Sequence, residues 1–201
     1  RKKAVVKFFI YTLAGSLFML VAFAYLYDKA GSFMLSDLTK LKLSVTEQFW
    51  IFFAFFLAYA IKIPIIPFHT WQAPTYSTAP MAGTMLLSAI MLKMALFGMI
   101  KWMIPLNYNA LETYQLPVII LGLIGILYGA FIAINETNIR KIFAYASLSN
   151  LGLIVAGIML FTEESLKTSV LQMVNHSLIA VGLFLCADFL EKRFKTSDIQ
   201  A

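Results

Sequence analysis

The sequence is short of charge, cysteine and histidine, and each shortage removes a class of function. Asp, Glu, Lys and Arg make up 13% of its 201 residues, about half the share that a water-soluble domain carries. The one cysteine, Cys186, lies inside an apolar run, which excludes a disulfide framework and a thiolate metal site. The two histidines, His69 and His176, are far apart in sequence, and no metal site is expected. There is no glycine-rich phosphate loop and no cysteine cluster, so NADH, flavin and iron–sulfur sites are not expected in this chain. The net charge of +6 does not point to nucleic acid, because the basic residues are scattered in short loops instead of gathered on one face.

What the sequence has in abundance is apolar length: 61% of its residues are hydrophobic, which fits an all-α polytopic membrane protein embedded in a lipid bilayer. A spanning helix takes about 20 apolar residues, and six segments approach that length. They are predicted at about residues 4–27, 48–70, 80–104, 117–134, 142–161 and 168–190, a single transmembrane domain over 1–201. Residues 28–47, 71–79, 107–115, 135–141 and 162–167 are then loops. The opening run is too long for the h-region of a signal peptide, about 7–15 residues, and is read as a span. Starting at Arg1-Lys2-Lys3 without a methionine, the chain is expected to be an internal piece of a larger membrane protein.

With six crossings, one face carries nine basic residues: Arg1, Lys2, Lys3, Lys7, Arg140, Lys141, Lys192, Arg193 and Lys195. The other carries five, Lys29, Lys40, Lys42, Lys101 and Lys167. The excess predicts that the first face, and with it both ends of the chain, is cytoplasmic.

Lys62 and Lys93 belong to neither face. Lys62 lies in Tyr59-Ala-Ile-Lys-Ile-Pro-Ile-Ile-Pro-Phe-His-Thr-Trp71, between Trp50 and Trp71, which are read as interface anchors. A straight helix between them measures about 31 Å, with Lys62 near its middle. Pro64 and Pro67 should break the helix there and free the carbonyls of Ala60 and Ile63 to solvate the ammonium. Either Lys62 snorkels to the surface, or it serves an ion site at the break, where a lysine in the bilayer is otherwise costly by about 2.5–3.5 kcal/mol. Lys93 falls midway between Pro80 and Trp102, and loss of water around an amine favours its neutral form, which suits proton exchange. His176 either bonds a neighbouring helix or relays protons. Ser147, Ser149 and Asn150 form a polar group able to hold water, and His69 sits near the end of its segment. Gly15, Gly83, Gly98 and Gly182 are expected at close helix contacts.

Three stretches carry a family resemblance. Ala60 to Trp71, followed by Ala79-Pro-Met-Ala-Gly-Thr-Met-Leu-Leu-Ser-Ala-Ile-Met-Leu-Lys-Met94, resembles the antiporter-like membrane subunits of respiratory complex I, the NADH:quinone oxidoreductase. The branch is that of bacterial subunit M and mitochondrial subunit 4. Glu136-Thr-Asn-Ile-Arg-Lys-Ile-Phe-Ala-Tyr-Ala-Ser-Leu-Ser-Asn-Leu-Gly152 and Leu171-Gln-Met-Val-Asn-His-Ser-Leu178 extend it. The resemblance implies part of a larger inverted-repeat fold, with Lys62, Lys93 and His176 as proton-relay positions in the bacterial inner membrane. It also implies neighbouring membrane subunits of complex I as partners, with NADH, FMN, iron–sulfur clusters and quinone bound elsewhere in the complex. Two departures stand out. The family has Leu-Pro-Asp-Ala-His-x-Glu-Ala-Pro after the tryptophan, where this chain has Gln72-Ala-Pro-Thr-Tyr-Ser-Thr-Ala-Pro80, and Asn150 stands where the family has histidine. The family's fifth-helix glutamate and twelfth-helix lysine lie outside the chain. A multi-subunit cation/proton antiporter or related membrane-bound hydrogenase remains the alternative, and a structural scaffold with dispensable lysines a third.

Overall fold

The computed structural model describes residues 2–200, and six of its helices are long and apolar enough to cross a membrane. They are the first span Lys2–Ala30, the second Val45–Lys62, the third Met81–Leu106, the fourth Tyr108–Asn135, the fifth Ile139–Met159 and the sixth Glu163–Phe194. The first packs on the second, the fourth and fifth form a tight hairpin, and the sixth lies against both the fifth and the third. Loops alternate between two ends of this bundle. At one end the Tyr11 and Thr70 hydroxyls meet at 3.1 Å and Arg140 pairs with Glu191. At the other, Lys29 pairs with Glu47 at 3.0 Å.

Local sequence explains where the helices begin. Ser44 and Glu47 form a reciprocal capping box at the second span, and Thr162 and Ser165 form one at the sixth. Asn138 caps the fifth, accepting hydrogen bonds from the N–H groups of Arg140 and Lys141. The hairpin of spans four and five rests on glycine, since a Cβ on Gly122 would lie 2.8 Å from the Gly152 carbonyl oxygen and one on Gly129 2.8 Å from that of Tyr145. Backbones that close admit no side chain between them. Gly15 packs on Ala58 and Ile61 as expected, and Gly98 on the Tyr59 ring. Gly83 and Gly182 do not follow the expectation: a Cβ at either meets nothing within 4 Å.

The largest departures from the predicted boundaries are at the second and fourth spans. The helix containing Lys62 stops at that residue; the chain then forms a 3-10 turn over Phe68–Trp71 and a short helix over Gln72–Thr78, part of it expected to be loop. The predicted loop 107–115 shrinks to the turn at Asn107, with the fourth span starting at Tyr108 and Pro117 in its interior. The Gln48 side chain explains this early start, because its carbonyl accepts the Asn109 N–H at 3.1 Å, one of the donors that a helix start leaves unpaired. Trp71 is not an interface anchor. It is fully buried, packs at a tilt against the Phe8 ring, and donates its indole N–H to the Ile61 carbonyl at 2.8 Å, which ties the broken segment back to the helix it left.

Candidate functional site

The third span is not a regular α-helix. Leu87–Met91 forms a π-turn, which adds a residue to the turn and disturbs the hydrogen-bond ladder. Beside it, Lys93 donates from Nζ to the Ser88 carbonyl at 2.7 Å. The same Nζ lies 2.6 Å from Nδ1 of His176, on the sixth span. The other ring nitrogen of His176, Nε2, lies 2.9 Å from the Ser147 hydroxyl on the fifth. His176 and Ser147 are buried, at 4% and 5% exposure. Three helices thus contribute one continuous line of polar atoms through an apolar bundle. Ser177 anchors it by donating to the Ala89 carbonyl at 2.9 Å, which binds the sixth span to the π-turn.

Both ring nitrogens of His176 are engaged, so its tautomer is linked to the state of Lys93. An ammonium at Lys93 donates to Nδ1 and leaves the ring proton on Nε2, directed at Ser147. A proton passed to Nδ1 makes the ring an imidazolium, which can release the Nε2 proton on its far side. The arrangement is chemically able to move a proton across the ring without moving the ring.

Lys62 sits elsewhere. It lines a cleft of about 260 Å³ together with Met19, Phe23, Tyr59, Met94, Gly98 and Trp102. Among the described residues its ammonium has no hydrogen-bond or ion-pair partner. The Ala60 carbonyl, expected to solvate it, instead accepts the Ile65 N–H at 2.8 Å, because the chain folds back on itself at the break. Nor are the two lysines brought together. At 100° per residue, Met91, Met94, Ala95 and Gly98 share the face of the third span that meets the Lys62 cleft, and Lys93 falls on the opposite face.

The remaining predicted residues divide by geometry. Pro64 and Pro67 lie in the irregular stretch after Lys62. His69 is buried in the 3-10 turn, its ring edge-on to Tyr128 at 4.9 Å, with Nδ1 buried and unpaired. Ser149 donates to the Ile126 carbonyl at 3.0 Å and so holds the fourth and fifth spans together. Asn150 is exposed and bonds only within its own helix, to Ala146. Position 149 points away from 147 on a helix and Asn150, one turn on, is exposed, so of the three only Ser147 reaches His176. Sequence reasoning missed Tyr59 and Ser88. Tyr59 was accessible to it, since a residue three before Lys62 shares its face. Ser88 was not, because five residues before Lys93 is the wrong side of an α-helix and only the π-turn corrects it. Among the described residues no group of three or more His, Cys, Asp and Glu side chains could hold a metal ion.

Over residues 1–201 the chain matches the family described as NADH:quinone oxidoreductase/Mrp antiporter, TM. The chain belongs to this family. It is 36% identical to NADH-quinone oxidoreductase subunit M of Rickettsia prowazekii (strain Madrid E) over 198 residues, which cover 98% of this chain and 40% of the relative. The solved structure of respiratory complex I from Thermus thermophilus with bound NADH contains a chain 31% identical, with a TM-score of 0.93 over 99% of this chain and 43% of that one. The Mrp complex from Dietzia sp. DQ12-45-1b shares the fold at 22% identity and a TM-score of 0.78, over 91% of this chain and 34% of that one. The chain therefore spans about 40% of the length of the curated relative, and the all-helical membrane fold and the family expected from the sequence both stand.

Proposed function

We propose that this chain is part of a membrane-arm subunit of an NADH:quinone oxidoreductase, and that it moves protons across the membrane through buried side chains. The observation that carries this reading is the line from the Ser88 carbonyl through Lys93 and His176 to Ser147, with contacts of 2.6–2.9 Å across three helices. A half-buried amine bonded to a buried imidazole makes a proton-exchanging pair, and ionisable groups at membrane depth mark ion pathways. Lys62, in its own cleft at the helix break, serves as the preceding station, and its proton affinity responds to charge arriving from neighbouring subunits. The gap between Lys62 and Lys93, across the third span, is bridged by water or by groups outside this chain. Tyr59 lines the Lys62 cleft, Pro64 and Pro67 hold the break that follows Lys62, and His69 lies at the end of the bundle where protons arrive. Ser149 serves the helix packing rather than the relay, and Asn150 bonds only within its own helix.

The energy comes from quinone reduction elsewhere in the complex. NADH, FMN, the iron–sulfur clusters and quinone belong to other subunits, and the partners of this chain are the adjoining membrane subunits and lipid. The excess of basic residues on one face supports both ends of the chain lying on the cytoplasmic side of the bacterial inner membrane. A second reading, a subunit of a multi-subunit cation/proton antiporter, is favoured by the Mrp-like fold at a TM-score of 0.78. The test is Lys62→Ala and Lys93→Ala in the intact complex, with proton uptake into vesicles and quinone reduction scored together. The reading expects uptake to fall in both variants; parental pumping in both removes it. Cation exchange by the complex without any quinone reductase activity favours the antiporter.

A further inference from the structure

The third and sixth spans are tied together at two adjacent residues of the sixth, His176 and Ser177. Among the described residues two hydrogen bonds cross between these spans: Lys93 Nζ with His176 Nδ1 at 2.6 Å, and Ser177 Oγ with the Ala89 carbonyl at 2.9 Å. Both fall on or beside the Leu87–Met91 π-turn. A π-turn spaces its hydrogen bonds at five residues, which disturbs the regular ladder and leaves its carbonyls open to side-chain donors. Two successive carbonyls of this turn take such donors, that of Ser88 from Lys93 at 2.7 Å and that of Ala89 from Ser177. The Ser177 hydroxyl has one proton and a second acceptor in reach, the Met173 carbonyl at 2.8 Å. A carbonyl four residues earlier already accepts the N–H of its own helix. The hydroxyl proton is therefore divided between a satisfied acceptor and one in a disturbed ladder.

The turn matters to Lys93 through register. At about 100° per residue, five residues of α-helix set Ser88 and Lys93 about 140° apart, and the wider π-turn closes most of that angle. Both halves of the third span are held. Before the turn, Thr84 is fully buried and donates to the Tyr76 carbonyl at 3.4 Å; after it, Leu92, Leu96 and Met99 are fully buried. The turn is the joint that sets one half against the other, and the sixth span holds that joint through Ser177. Removal of the hydroxyl lets the joint relax toward α-helix. That motion carries the Ser88 carbonyl away from the Lys93 ammonium and loosens the ammonium against His176.

We propose that Ser177 is a positioning residue, whose hydroxyl holds the Leu87–Met91 π-turn and so keeps the Lys93 ammonium between the Ser88 carbonyl and Nδ1 of His176. This rests on the reading of Lys93 and His176 as a relay. The test uses the complete complex in sealed vesicles, with Ser177→Ala, Ser177→Thr and, beside them, Lys93→Ala. Protons taken up per quinone reduced are measured against pH, together with the thermal midpoint. Quinone reduction with an uncoupler present shows that each complex has assembled. Ser177→Ala is expected to lower the ratio about two- to tenfold, the loss of one hydrogen bond. It should also shift the pH of half-maximal uptake by about half a unit. Ser177→Thr keeps a hydroxyl on the same helix and should recover most of the loss. A parental ratio and pH profile in Ser177→Ala, with uptake lost in Lys93→Ala, overturns the positioning role and leaves the relay standing. A lower thermal midpoint with a parental pH profile shows packing only and also overturns it, as does Ser177→Thr no better than Ser177→Ala. Parental uptake in Lys93→Ala overturns the relay itself, and the positioning role with it.

Discussion

Glu191→Gln is a demanding test of how the three relay-bearing helices are held. Glu191, near the end of the sixth span, pairs with Arg140 at the start of the fifth through two contacts, the Nε one at 2.6 Å. Arg140 Nη1 also donates to the Ala79 carbonyl at 2.9 Å, just before the third span. One guanidinium therefore joins the spans that carry Lys93, His176 and Ser147. Removing one partner of a buried pair costs about 3–5 kcal/mol. The two side chains keep 17% and 15% of their exposure, so partial hydration lowers the cost to about 2–3 kcal/mol. Asp188, one turn earlier, offers Arg140 only a weaker attraction. On the scale of a domain this size the melting midpoint falls by roughly 4–12 °C. The assay is thermal inactivation of the purified complex, followed by the ratio of protons moved to quinone reduced below the new midpoint. Arg140→Met with Glu191→Met, which leaves no unpaired charge, should recover most of the loss. An unchanged midpoint in Glu191→Gln, or a double variant no more stable than the single one, refutes the reasoning.

Glycine substitutions should sort by what a Cβ meets. Gly152→Ala pushes into the backbone of Gly122 and within 3.1 Å of the Ile126 nitrogen, and thermal denaturation should show a loss of about 1–3 kcal/mol. Gly182→Ala, with open space around it, should be neutral or gain up to about 1 kcal/mol from helix propensity in the same assay. Gly98→Ala drives a methyl to within 2.6 Å of the Tyr59 ring; Gly98 and Tyr59 both line the Lys62 cleft, so the cleft is disturbed and proton uptake should fall while quinone reduction driven with an uncoupler persists. For orientation, a membrane-impermeant maleimide should label Lys195→Cys from the cytoplasmic side and Glu164→Cys from the opposite side, in a Cys186→Ser background. Labelling with the sides exchanged reverses the assignment made from the basic residues.

Periodicity and composition made the six spans legible, because a bilayer leaves helices few ways to satisfy their backbone. The break at Lys62 was legible from Pro64 and Pro67. What followed it was not: Trp71 reads as an interface anchor by residue type, but a buried acceptor at Ile61 captures its indole. The Lys93–His176–Ser147 line was half legible. Each residue stands out as polar in an apolar run, but sequence could not pick Ser147 from its neighbours Ser149 and Asn150 without the facing helix. The Ser88 contact depends on a π-turn with no sequence signature in this chain.

The central claim is that Lys93 and His176 act as one proton-exchanging unit. A double-mutant cycle tests it most directly: Lys93→Ala, His176→Asn and the combination, each in the complete complex, with the initial rate of proton uptake measured per quinone reduced. Each single change should lower that ratio, and the combination should lower it no further than the worse single change, because both break the same link. Losses that simply multiply, or a parental ratio in either single variant, contradict the account.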